Sequence, residues 1–252
     1  MKKLSVVIIT FNEENNIERC LKSISSFADE IIVVDSFSTD KTKEICESYQ
    51  VNFQQRKWTG YSDQKNFANN LATNDYIFSL DADEAVDSEM KNNIIEHKAK
   101  GFTGLYITNR LVNYCGKWIK HSTWYPDKKI RIFEKSMANW EGEYVHEELT
   151  FSESIPKIEL KGHLEHYTYY NFKEHRERAD KYSYLTAQKM YEKGKRADIT
   201  KPYLSAIARF ISMYIIHLGF LDGFLGFKIA QISAQSNIVK YKELRRLNNG
   251  NK

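Results

Sequence analysis

Tyr76–Glu84 reads YIFSLDADE, a short apolar run that leads straight into two aspartates one residue apart. Tyr, Ile, Phe and Leu around a single serine suit a strand covered on both faces. Two similar runs precede it. Leu4–Thr10 (LSVVIIT) stops at Thr10, with Asn12 just beyond, and Glu30–Asp35 (EIIVVD) stops at Asp35. Between the first two runs, Asn12 to Ser26 carries Ile17, Cys20, Leu21 and Ile24 at i, i+3, i+4 and i+7, the stripe of an amphipathic helix. Ser38, Thr39 and Asp40 are good N-cap types ahead of a second helix with Ile45, Cys46 and Tyr49 on one face. Gln64–Ala72 reads as a third helix with Phe67, Ala68, Leu71 and Ala72 inward. This alternation predicts an α/β fold with a doubly wound sheet.

Such sheets bind ligands beyond the carboxyl ends of their strands. Three strand ends here are polar: Thr10 with Asn12, Asp35, and Asp81 with Asp83. The bland alternative for each is a helix cap, and Thr10 with Glu13 fits a capping box. From about residue 101 to 170 the pattern shifts to shorter β-like pieces, Leu105–Thr108, Lys129–Phe133 and Leu160–His166, separated by aromatic and glycine-containing loops. They predict a small antiparallel extension of the same domain. The expected organisation is thus a catalytic domain over 1–170, with a donor half over 1–100 and an acceptor half over 101–170, and a basic helical region over 171–252.

The chemistry centres on Asp81 and Asp83. Carboxylate oxygens after a buried strand suit a hard divalent cation, Mg²⁺ or Mn²⁺, whose shell a diphosphate can complete. A strand followed by DxDx[T/V] also marks a class of phosphatases with an aspartate nucleophile. Here Ala85 holds the Thr/Val position, and the motif follows several elements rather than the first strand. Transfer to a hydroxyl also needs a base, and Asn139–Leu149 (NWEGEYVHEEL) supplies Glu141, Glu143, Glu147 and Glu148. His163 and His166, in KGHLEHYTY, are available to a metal shell or to plain hydrogen bonding.

TFNEENNIERCLKSI, EIIVVDSFSTDKT and DYIFSLDADE, in that order and spacing, resemble the donor half of family 2 glycosyltransferases with the GT-A fold. The resemblance implies that Thr10, Asn12 and Glu13 line a nucleotide pocket, and that Asp35 bonds the uracil edge with Ser36 and Asp40 nearby. It implies Asp81 at the ribose or metal, Asp83 on the metal, and Lys65 toward the phosphates. It favours Glu147 as catalytic base, ahead of Glu143, at a position where the family usually writes Glu-Asp. It also favours His166 as a metal ligand. VHEEL, HYTY and GFLDGFLGF further resemble the lipopolysaccharide-core β-glucosyltransferases, which implies an inverting transfer of a hexose, glucose above all. The donor would be a UDP-sugar and the acceptor a lipid-linked or oligosaccharide chain. A non-catalytic nucleotide- or glycan-binding protein and a metal-dependent phosphohydrolase are the competing classes.

Charge separates the two ends of the chain. Residues 1–172 hold 21 Lys and Arg against 26 Asp and Glu, a balance of −5, whereas residues 173–252 hold 16 against 7, a balance of +9. A basic tail suits an anionic partner. Phe210–Leu221 is its longest charge-free apolar stretch, 12 residues with His217 inside, and a crossing helix needs about 20. An interfacial segment on anionic lipid of the inner leaflet, core packing, or a homodimer through these helices are the readings that remain. No groove-reading motif accompanies the charge, so nucleic acid is not expected. Met1-Lys2-Lys3 and a seven-residue β-branched run read as a buried strand rather than a signal peptide. Cys20, Cys46 and Cys115 form no CxxC or Cys/His cluster. Both features predict a cytoplasmic protein, peripheral to the inner membrane if the tail binds lipid.

Overall fold

The computed structural model describes residues 2–142 and 148–250. The chain opens with β1 (Leu4–Thr10), α1 (Ile17–Ile24), β2 (Glu30–Asp35), α2 (Thr42–Glu47), β3 (Asn52–Gln55), α3 (Tyr61–Leu71) and β4 (Tyr76–Asp81). It continues through β5 (Glu84–Val86), α4 (Ser88–Lys100), β6 (Leu105–Tyr114), β7 (Lys117–Ile119), β8 (Asp127–Glu134), β9 (Ala138–Glu141), β10 (Glu148–Phe151), β11 (Lys157–Glu159) and β12 (Leu164–Tyr169). Three long helices follow: α5 (Phe172–Glu192), α6 (Lys201–Ile211) and α7 (Gly223–Asn249). Among the described residues, ten strands form one mixed sheet in the order β3-β2-β1-β4-β8-β6-β12-β5, with β7 and β11 also on β6. β9 and β10 make a separate antiparallel pair.

The chain divides into two compact units. The first holds residues 1–110 and 127–167, the second residues 111–126 and 168–252. Leu111–Pro126, inside the expected acceptor half, thus groups with the tail.

In the first unit, β1 is buried at all seven residues and pairs in parallel with β2 on one side and β4 on the other. Its alternating side chains feed two cores. Leu4, Val6 and Ile8 pack with Ile17, Cys20, Leu21 and Ile24 of α1, Cys46 of α2, and Met90 and Ile94 of α4. Val7 and Ile9 pack with Ala68 of α3 and Trp140 of β9. Helices on both faces make the sheet doubly wound. Each fully buried Ile or Leu of the α1 stripe contributes about 1.5–3 kcal/mol relative to exposure. The expected antiparallel extension is part of the same sheet: β8 pairs β4, β6 pairs β8, and β12 pairs β5.

Several details differ from the sequence reading. α1 begins at Ile17, not near Asn12, and Thr10 caps nothing: its Oγ1 is buried without a hydrogen-bond partner. The Glu13 N–H instead donates to Thr42 Oγ1, across to α2. β3 and β5 are too short to show a period, and the apolar stripe of α4 is interrupted by Asn92, Asn93 and Lys91. A capping aspartate starts α4, with Asp87 accepting the Met90 N–H at 2.7 Å.

In the second unit, α7 packs against both α5 and α6. α6 runs into a π-helical turn at Ser212–Ile216 and then a 3₁₀ turn at Gly219–Asp222 before α7 begins. Gly219, Gly223 and Gly226 lie around this break, and Gly226 shows why glycine is needed. A Cβ there would sit 1.9 Å from the Gly219 carbonyl oxygen. His175 of α5 is buried among Tyr114, Trp124 and Tyr169, and its Nδ1 lies 2.8 Å from the Tyr114 hydroxyl. Among the described residues no single helix is long and apolar enough to cross a membrane; residues 201–216 and 219–249 pass such a test only as a pair bent by 72°.

Candidate functional site

Strand register assembles the site. In the parallel ladders Thr10 stands opposite Asp35, and Ile9 opposite Asp81, so the three polar strand ends lie side by side at the carboxyl edge. The loops that leave β1 and β2 are laced together above them. The Asn12 N–H donates to Ser38 Oγ at 2.8 Å, and Asn12 Oδ1 accepts the Thr39 N–H at 2.8 Å. Asp40 accepts the N–H groups of Glu14 and Thr42, and Glu14 accepts that of Lys41. Asn12 adopts a left-handed backbone, φ +55°, a conformation that Asn tolerates better than most side chains. Glu13 accepts from the Asn16 amide at 2.7 Å.

Asp35 is fully buried at the end of β2. Ser38 donates to it from both its hydroxyl and its N–H, and Gln55 from its side-chain amide at 3.1 Å. These bonds use three of about four acceptor positions of a carboxylate. Ser36 gives its N–H to the Thr10 carbonyl and accepts from Gln64 at 3.1 Å. Phe11 and Phe37, one on each laced loop, are exposed.

Asp81 sits in a buried lattice of charge. Lys65 Nζ of α3 is 3.1 Å from its Oδ1, and Arg131 Nη2 of β8 is 2.9 Å from its Oδ2. Arg131 also reaches Glu84 Oε1 at 2.5 Å, and the other Glu84 oxygen accepts the Asp81 N–H at 3.1 Å. Arg110, opposite Asp127 in the β6–β8 ladder, pairs with Asp127 at 2.6 Å and approaches Glu84 at 3.5 Å. Burial opposes the ionisation of Asp81, but Lys65 and Arg131 outweigh it and hold the carboxyl well below the usual range. Burial likewise works against the Arg131 charge, and Glu84 and Asp81 overcome it. Lys65 is therefore no solvated surface lysine. It is buried against Asp81, with its ammonium 4.5 Å from the centre of the Trp140 ring.

Asp83 is placed differently. Ala82 and Asp83 form the turn between β4 and β5, and β5 pairs antiparallel with β12 so that Glu84 stands opposite His166. One residue before Glu84, Asp83 therefore meets His166: Oδ2 to Nε2 is 3.1 Å, and the Asp83 carbonyl accepts the Tyr167 N–H at 2.9 Å. His163, the other candidate histidine, is spoken for by its Nδ1 and N–H contacts to Asp87, the α4 cap.

The Asp83–His166 pair fits a divalent ion. Two donors each about 2.1 Å from an octahedral ion, at right angles, lie about 3 Å apart. A carboxylate with an imidazole is a donor set that suits Mn²⁺ and tolerates Mg²⁺. His166 Nδ1 is buried without a hydrogen-bond partner. Among the described residues no three His, Cys, Asp or Glu side chains gather as a metal cage. Two protein donors leave the remaining positions to phosphate oxygens and water, as is usual where Mg²⁺ serves a nucleotide. Asp81, with both oxygens already on cations, is the less available of the two aspartates.

Glu147, Glu143 and His146 lie outside the described residues. The strands on either side are fixed, with Glu141 opposite Glu148 in the β9–β10 ladder and both exposed. Asn66 of α3 clasps β9, donating to the Trp140 carbonyl at 2.8 Å and accepting its N–H at 3.0 Å. Ser62 adds a bond to the Gly142 carbonyl at 2.9 Å. The same helix thus carries Lys65 to Asp81 and holds β9. Sequence reading missed Glu84, Arg131 and Trp140. The signal was present for Arg131, a charge between Ile130 and Ile132 in a short apolar strand, since a buried cation requires a carboxylate partner.

The model of the family described as glycosyl transferase family 2 matches residues 5–152, the span from β1 through β10. An uncharacterized glycosyltransferase of Rickettsia typhi is 30% identical over 98% of this chain and 88% of its own length. The lipopolysaccharide core biosynthesis glycosyltransferase LpsC of Rhizobium meliloti is 27% identical over 92% of this chain and 87% of its own. Among solved structures, residues 1–349 of S. aureus TarS in complex with UDP align at a TM-score of 0.48 and 14% identity, over 99% of this chain and 92% of that one. The family match covers the strand ends at Thr10, Asp35 and Asp81 and stops short of His166, and the chain belongs to glycosyl transferase family 2: it is a glycosyltransferase.

Proposed function

We propose that this glycosyltransferase moves a hexose, glucose above all, from a UDP-sugar to a saccharide of the lipopolysaccharide core or a similar cell-surface glycan, with inversion at the anomeric carbon. The observation that carries the reading is the Asp83–His166 pair set beside the Lys65–Asp81–Arg131 lattice. The similarity to a lipopolysaccharide core transferase supports the acceptor class.

The nucleoside would lie against the laced loops, its base at the Asp35 end with Phe11 and Phe37 as apolar neighbours. Thr10, Asn12, Glu13 and Ser36 line this end. Asp81, locked as a carboxylate, presents a fixed acceptor for a ribose hydroxyl. Lys65 gives the same corner positive charge, which the diphosphate would feel. Asp83 and His166 would hold a Mn²⁺ or Mg²⁺ ion, which when bound neutralises charge growing on the departing diphosphate. Glu147 takes the proton from the acceptor hydroxyl. The acceptor oxygen forms its bond to C1 as the bond from C1 to the diphosphate oxygen breaks, and UDP carries away the electron pair.

The direct test is sugar transfer from a panel of UDP-sugars to a core oligosaccharide, with Mn²⁺ and with EDTA. Release of UDP with Mn²⁺ and its loss in EDTA supports the reading. Equal rates in both remove the metal, and turnover with none of the UDP-sugars removes the donor class.

A further inference from the structure

The second unit leaves an apolar face uncovered. Along α6 and the turns after it, Leu204, Ile207, Ile211 and Ile215 recur every three to four residues, Ile216 follows directly, and Phe224 lies at the start of α7. All six are exposed, Leu204 by 62%, Phe224 by 63% and Ile216 by 67%. Scattered exposed apolar residues need no explanation, but a continuous row of them marks an interaction surface. Between α6 and α7 lies an apolar groove of about 270 Å³ whose lining includes Ile207, Ile211 and Ile238.

The charges around this face are mostly cationic, with Asp198 just before α6 and Glu243 near the end of α7. From residue 199 to 242 the chain carries Lys201, Arg209, Lys228, Lys240 and Lys242 but a single acid, Asp222. That acid is turned inward, its side chain only 7% exposed, where it accepts from the N–H groups of Lys120 and His121 and lies 3.0 Å from His121 Nδ1. Asp198 is the carboxylate beside Lys201, whereas the stretch offers none besides Asp222 to Arg209 and Lys228.

We infer that the α6 face and the turns leading into α7 dock on an anionic lipid surface, with the apolar row sunk at the headgroup boundary and Lys201, Arg209 and Lys228 against lipid phosphates. Among the described residues no single helix here is long and apolar enough to cross a membrane, and an apolar face flanked by cations is the pattern of an interfacial segment. A second copy is the competing occupant, and the charges disfavour it. An isologous contact would set Arg209 and Lys228 against their own equivalents, with cations outnumbering acids on both copies. This inference stands apart from the reading of the donor site.

The test is flotation of the full-length chain with phosphatidylcholine vesicles, with and without about 30 mol% phosphatidylglycerol, at low and high salt. Co-flotation with the anionic vesicles that weakens with salt is expected. Ile215→Asp with Ile216→Asp should cut it on the order of tenfold or more, and Arg209→Glu by a smaller factor. Circular dichroism and UDP-sugar turnover of these surface variants should match the parent and exclude misfolding. Failure to co-float, or co-flotation unchanged in the variants, overturns the inference. So does a concentration-dependent dimer in sedimentation that the same variants abolish in a chain that never co-floats.

Discussion

The carboxyl edge of the first unit and the α6 face of the second depart from ordinary burial in opposite directions. At the edge, Lys65, Arg131, Glu84 and Asp35 are charged and buried, and each is met by a specific partner. On α6, Leu204 and Ile207 are apolar and exposed. Buried charge is tolerated only when paired, and removing one partner is costly. Exposed apolar surface costs the fold little locally and is kept for a contact outside it. The edge is thus a paired and preorganised lattice, whereas the helical face is apolar and uncovered.

The largest effect belongs to chemistry at the edge. Glu147→Gln should lower turnover on the order of 10²–10⁴-fold while UDP-sugar binding, read by calorimetry, holds. Unchanged turnover would move the base to Glu143 or elsewhere. Next comes Glu84→Ala, which leaves Arg131 and Arg110 underpaired and should cost about 3–5 kcal/mol in urea unfolding. A loss below about 1 kcal/mol would mean that the lattice is dispensable to the fold.

His175 ties the comparison to pH. Burial, aided by Arg176 and Arg178, lowers its pKa from 6.5 to about 4, so it is neutral when folded. Its folded value lies below its unfolded one, so its contribution is complete above pH 6.5 and fades as pH falls toward 4. The loss should reach about 3 kcal/mol at the low end. Unfolding of wild type and His175→Phe at several pH values across this window isolates the effect as a difference that shrinks with acidity. A constant difference would contradict it. Smallest is Ile216→Ser on the bare face, expected within about 0.5 kcal/mol of wild-type stability. A loss of 2 kcal/mol, roughly that of a buried side chain, would show that Ile216 is packed in solution.

The donor edge was legible because each part is written locally. LSVVIIT, EIIVVD and YIFSLD are strands with polar ends, and parallel pairing then puts Thr10, Asp35 and Asp81 side by side. What resisted reading is non-local. Glu84 looks like the trailing residue of a motif until β8 delivers Arg131 across the sheet. His166 becomes Asp83's neighbour only through the β5–β12 register, since β5, three residues long, is too short to announce its pairing. Thr10 and Glu13 fit a capping box in one dimension, while Glu13 in fact bonds across to Thr42, 29 residues away. The α6 row was visible as an apolar stripe, but whether a stripe faces a core or the outside is set by packing and not by period.

The central claim is that Asp83 and His166 hold the metal that accompanies the donor diphosphate. Its most direct test is Mn²⁺ uptake in the presence of UDP, followed by the electron paramagnetic resonance signal of the free ion, for wild type, Asp83→Asn and His166→Ala. Wild type should take up Mn²⁺ stoichiometrically and both variants should bind it at least about tenfold more weakly, with UDP-free binding weak in all three. Uptake by the variants equal to that of wild type would contradict the assignment.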